Sequence, residues 1–200
     1  MRLPSFALAT VLVSSAVFGA AAQTQQVRIR GSVERIEGQM LTVKTPEGVA
    51  SVALAPNYAV GAIVRASMAD IKKGSFIGVG ARTSSGGELQ AVQVVIFPEA
   101  MRGTGEGHRP WAVLPEATMT NATVAETVTQ VGGSSVTLTY PGGEQRIAIP
   151  PEANIVMAAP AQASDLAAGA QVALTAQRQA DGGLTTSRVT VARAGAQLPL

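Results

Sequence analysis

The sequence predicts an all-β protein built from two copies of one small domain, and three observations carry that expectation. Apolar and polar residues alternate with the two-residue period of a half-buried strand, as in Val27-Arg28-Ile29-Arg30 and Gln39-Met40-Leu41-Thr42-Val43-Lys44. Proline then glycine punctuates such runs where a tight turn needs a fixed φ followed by a positive one, in Thr45-Pro46-Glu47-Gly48 and Tyr140-Pro141-Gly142-Gly143. The chain also matches itself at a shift of 95 residues, apolar positions and turns together.

The elements follow in order. Residues 1–22 read as a secretory leader: Arg2 gives the positive start, 6–18 an uncharged apolar stretch, and Ala20-Ala21-Ala22 the small residues before cleavage. That stretch is shorter than the ~20 residues of a spanning helix. No cysteine follows it to carry a lipid, and the most hydrophobic later run, 92–97, has the length of a strand. The expected location is the periplasm, or the exterior of the cell. With no cysteine in the chain, stability there must come from packed cores and not from disulfides.

In the first unit a strand at 27–30 precedes a hairpin of 39–44 with 51–55. Residues 67–74 read as one helical turn ended by glycine, and a second hairpin joins 76–81 to 88–97 across Ser84-Ser85-Gly86-Gly87. The second unit repeats this with 136–140, 145–149, a turn over 164–169, and a hairpin of 171–177 with 184–191. Without gaps, Leu41-Thr42-Val43 falls on Val136-Thr137-Leu138, Asp70-Ile71 on Asp165-Leu166, Gly74 on Gly169 and Val33 on Val128, with Glu126 where Gly31 stands. The threonine-rich run 118–129 is expected as an edge strand leading into the second unit.

Five short strands with a helical turn between the third and fourth predict a small, partly open Greek-key barrel of OB type. The expected organisation is a leader at 1–22, an OB-like barrel at 27–97 and a long Gly/Pro-containing linker at 98–121. A second OB-like barrel at 122–193 and a loose tail at 194–200 complete it. The pattern Gly31, Val33, Ile36, Gly38, Leu41-Thr42-Val43, then Asp70-Ile71 and Gly74, resembles that of a family of exported bacterial domains of unknown function with tandem OB-like repeats. The resemblance covers both units but not the linker, and it implies the fold and export. Some relatives of that family carry the label of a metal ABC transporter permease, which implies an association with metals. With no later run able to span a bilayer as a helix, this chain is not expected to be a permease itself.

The net charge is +2, with both signs interspersed. Nucleic-acid binders and anionic-membrane binders concentrate Lys and Arg instead, so both partners are excluded as expectations. The linker holds the only His and the only Trp, His108 and Trp111, beside Gly103, Gly105 and Gly107. Three roles compete for it. As a strap it would bury Trp111 against a barrel. As a metal site, His108 would join Glu106, Glu99 or Met101, with Asp70 or Glu116 completing the set; carboxylates would suit zinc and a thioether copper(I).

As a recognition loop, its glycine N–H groups and the forks of Arg102 and Arg109 would take a small anionic ligand. Trp111 would then stack on a glycan or on an envelope protein. The loop matches neither phosphate-loop pattern, and the chain has no nucleophile elbow and no zinc-protease motif. Glu99 and Glu106, on glycine-rich backbone, are the one conceivable carboxylate pair. The expected role is a non-enzymatic periplasmic or secreted binding protein without a cofactor. Its ligand-binding residues would be Arg102, Glu106, His108, Arg109 and Trp111. The alternative is a periplasmic metal-handling accessory protein centred on His108.

Overall fold

Alternating residues lay down twelve strands and no α-helix across the described part of the computed structural model, residues 25–130, 133–193 and 195–199. The expected leader lies outside the described residues. β1 (Gln26–Glu37), β2 (Met40–Thr45) and β3 (Gly48–Arg65) form an antiparallel meander. β4 (Phe76–Thr83) and β5 (Leu89–Ile96) form a hairpin, and β6 (Gly107–Pro110) lies within the linker. β7 (Ala117–Gln130), β8 (Gly133–Tyr140) and β9 (Gly143–Ile149) make the second meander. β10 (Asn154–Pro160) follows Pro150-Pro151, and β11 (Gln171–Arg178) pairs with β12 (Leu184–Ala192).

One 3-10 turn in each copy, Met68–Asp70 and Ala163–Asp165, leads into the second hairpin. An aspartate closes each turn: Asp70 accepts from the Ser67 N–H and hydroxyl, and Asp165 from the Gln162 N–H.

The chain does not divide at the linker. β1, β2 and β3 close into a ring with β11 and β12, because β1 pairs with β11 and β3 runs parallel to β12. The other ring joins β4 and β5 to β7, β8 and β9. The expected barrels at 27–97 and 122–193 are therefore corrected: each ring takes three strands from one copy and two from the other. The cores follow the rings. Leu41, Val43 and Val52 pack with Val172, Leu174 and Val189, while Ile77, Val79 and Val94 pack with Val124, Val136 and Leu138.

The reason is β3. A self-contained unit needs the chain to turn back after residue 55, but β3 continues through Pro56 for 18 residues. Its last residues, 61–65, pair antiparallel with β10, which itself runs parallel to β5. Ile63 stands opposite Ala158, its own equivalent in the repeat, so a local two-fold passes through that pair. The parallel contacts obey the same symmetry, Val60 beside Val189 in one ring and Ile155 beside Val94 in the other.

The repeat also contains a gap. β1 shifts register between Val33 and Arg35, and β7 between Val124 and Glu126. Val33 exchanges backbone hydrogen bonds with Gly169 and Ala170, as Val124 does with Gly74 and Ser75. Val33 thus corresponds to Val124 and not to Val128, and Ala122, not Glu126, stands where Gly31 does. The β7–β8 hairpin is longer by four residues. Because side chains alternate with period two, a slip of four keeps the same faces inward and leaves the pattern unchanged. β7 is also no edge strand: β4 flanks it on one side, β6 and β8 on the other. Within the expected tail, the Leu198 and Gln197 carbonyls accept from Arg30 and Asn154.

Two outcomes are expected. Fragments 25–105 and 106–199 should each lack a cooperative thermal transition by circular dichroism and should regain one on mixing; self-contained barrels would melt separately. The second concerns Arg193, which holds the Asp165 carboxyl below its ordinary range, helped by the Gln162 N–H. A carboxylate pKa lowered on folding stabilises the protein above the unfolded value, and that contribution is lost as pH falls through the folded one. Asp165→Asn should therefore lower the Tm at pH 7, and its gap to the parent should close as the pH drops from about 5 towards 2.

Candidate functional site

The linker is built on the outer face of β4. Ile77, Val79 and Ala81 point into the ring, so Phe76, Gly78 and Gly80 point out, yet all six are buried. The two glycines leave room for rings: Phe97 lies over Gly78, and a Cβ on Gly80 would fall inside the Trp111 indole. β6 pairs with the first half of β7, from Gly107 opposite Asn121 to Pro110 opposite Thr118. The Trp111 N–H then donates to the Ala117 carbonyl and swings the side chain across β4. The linker was expected between two barrels; its contacts are with one ring, because those glycines are in β4.

Each residue expected to bind ligand has a place. Arg102 donates to both oxygens of Glu99, to the Gly74 carbonyl and to Thr123, with its guanidinium 5.9 Å from the Phe76 ring centre. The Arg102 hydrogen bond holds the Glu99 carboxyl below its ordinary range. Arg109 donates to the Gly105 carbonyl at 2.7 Å. His108 Nδ1 is 2.8 Å from the Thr120 hydroxyl, and its ring stacks near Tyr140. Glu106 is exposed and adds a through-space attraction to Arg102.

Asn121, 7% exposed, donates to the Thr104 carbonyl, while its Oδ1 has no partner. Four of the five residues thus spend their strongest interactions on holding the linker down. Around His108 the neighbours are a hydroxyl and a phenol ring. Among the described residues no three His, Cys, Asp or Glu side chains gather as a metal site would require.

Among the described residues, the equivalent face of the other ring carries no such cover. There β1, β11 and β12 stand where β7, β4 and β5 stand, with Thr175 in place of Gly80 and Ala173 in place of Gly78. A groove of about 390 Å³ runs over it, walled by Arg28, Arg30, Thr175, Arg188 and Thr190, with Pro199 of the tail at one side. Arg28 and Thr175 are cross-strand partners, and Arg188 follows on β12. Arg188 lies in the stretch of β12 where the register with β11 shifts, and it lines the same groove as Arg28 and Arg30. Arg30 donates to the Leu198 carbonyl; Arg28 and Arg188 make no side-chain hydrogen bond or ion pair among the described residues. Sequence reasoning missed these arginines because they meet only once β1 is placed beside strands from the far end of the chain. The alternation Val27-Arg28-Ile29-Arg30 was the one local sign of them.

Among the described residues, no helix is long and apolar enough to cross a membrane. Compared with known proteins, the chain matches no family model, no curated protein and no solved structure.

Trp111 is the single tryptophan, so its emission reports the seat of the linker. Gly80→Val should eject the ring, red-shift the emission and cost about 1–3 kcal/mol in urea unfolding. Trp111→Ala should cost about 1–3 kcal/mol, below a full core truncation because the indole is only half-buried.

Proposed function

We infer that the chain is a non-enzymatic binding module of the cell envelope, exported by its leader and made of two strand-exchanged OB-like barrels. It recognises anions on the outer face of β1, β11 and β12. Five strands and one 3-10 turn per ring support the OB-type reading. The pattern shared with the exported family supports membership, since Val33, Leu41 and Val43 are core and Gly74 has φ 86°. One observation carries the binding reading: the outer face of one ring is roofed by the linker, whereas among the described residues the same face of the other is flanked only by the tail and bears three arginines, two of them without a side-chain partner. A guanidinium cannot lose its charge near neutral pH. Exposed guanidinium groups without a carboxylate favour a carboxylate or phosphate supplied from outside.

The test is chemical-shift mapping of the ¹⁵N-labelled protein with inorganic phosphate and with citrate. Shifts are expected on β1, β11 and β12, vanishing in Arg28→Ser/Arg188→Ser and persisting in Trp111→Ala. Shifts centred on Arg102, His108 and Arg109 would return the site to the linker, and no shifts at all would reject the reading.

A further inference from the structure

In the roofed ring, β7 has two neighbours on its outer side: β8 along its second half and β6 along its first, residues 118–121. β1 is the equivalent of β7, and β2 begins to pair with it only at Ser32. Residues 26–30 of β1 therefore pair with β11 alone, and their other edge is free among the described residues. A second groove of about 370 Å³ lies along that edge, between Val27–Arg30 and the β2–β3 turn at Thr45, Glu47 and Val49. Val49 is 64% exposed there. An unpaired edge presents a row of N–H and C=O groups ready to take another strand.

We propose that this edge binds an extended segment of a partner protein as an added antiparallel strand, in the place that β6 holds on β7. The partner segment is acidic at alternate positions and apolar between them. This deepens the anion-binding reading and rests on it. The internal copy supplies the geometry. Directly opposed residues share a face, so Gly107 and Arg109 of β6 lie on the side of Asn121 and Met119, whereas His108 lies with Thr120. Transferred to β1, the residues opposite Arg28 and Arg30 fall on the arginine face, where Arg188 also stands. The residue between them, opposite Ile29, falls on the inward face, where Ala50 and Leu184 line the second groove. Acidic, apolar, acidic is the sequence that fits. Glu47 on the groove's far wall disfavours an acid at the middle position. Main-chain hydrogen bonds give such a contact its affinity, and alternate side chains give its selectivity.

A fluorescein-labelled peptide Glu-Val-Glu-Val-Glu, titrated against the full chain by anisotropy, is the test. The expected result is saturable binding that falls at least about tenfold when alternate peptide amides are N-methylated, since two or more main-chain bonds are lost. Arg28→Ala/Arg188→Ala should weaken it by a similar factor with the thermal transition unchanged, since neither side chain holds a partner among the described residues. Equal binding of the N-methylated peptide would overturn strand addition while leaving an anion-binding face. So would no peptide binding in a protein whose arginines still respond to phosphate. Sedimentation of the chain alone gives the remaining outcome: a dimer broken by Arg28→Asp would mean that a second copy fills the edge, and the acidic partner would fall.

Discussion

The pairing of β3 with β10 is the constraint on which everything else depends. Because β3 does not turn back, the strands after it are carried beyond the ring they would otherwise complete. The same happens after β9, where Pro150-Pro151 bends the chain but β10 still runs on to meet β3. Two such departures, related by a two-fold through Ile63 and Ala158, exchange hairpins between rings. Neither ring then has a closed core without the other half of the chain.

That exchange breaks the equality of the two rings. The single connection from β5 to β7 spans the outer face of only one ring, and it found two outward glycines there. An aromatic ring over a glycine on a strand excludes water from both faces of β4, so Gly80 and Trp111 are one device. Arg102 completes it by linking Glu99, Gly74 and Thr123. The sister face kept Thr175 and Ala173 and stayed polar. Duplication gave two similar surfaces; the topology roofed one and left the other to arginine.

The strands were readable because alternation is a local property, and so were the turns at Gly74 and Gly169. The four-residue difference between the first hairpins was not, since Val124 and Val128 satisfy the same period. Ring membership was hidden for a deeper reason. When Leu41 can pack on Val79 of its own copy or on Leu174 of the other, similar repeats make the two choices nearly equivalent in contact chemistry. Only the backbone between 55 and 65 decides, and a strand and a turn differ little there in composition. The linker stood out because the repeat failed in it, but its histidine and arginines proved to be fastenings. Arg28 and Arg188 stand 160 positions apart in the sequence, and no local pattern links them.

The ring exchange also sets the order in which the protein can acquire structure during synthesis. The first strands made, β1 to β3, wait for β11 and β12, the last two in the chain, before their core can close. Partners so distant in sequence make closure slow, because most of the chain must be organised before long-range pairing is rewarded. That ring stays open until residues 184–192 are made, whereas β4, β5, β7, β8 and β9 all lie between residues 76 and 149 and can close before it. Assembly therefore runs outward from the middle of the chain: the ring that closes early presents β5 to β10, and the divided ring is completed last.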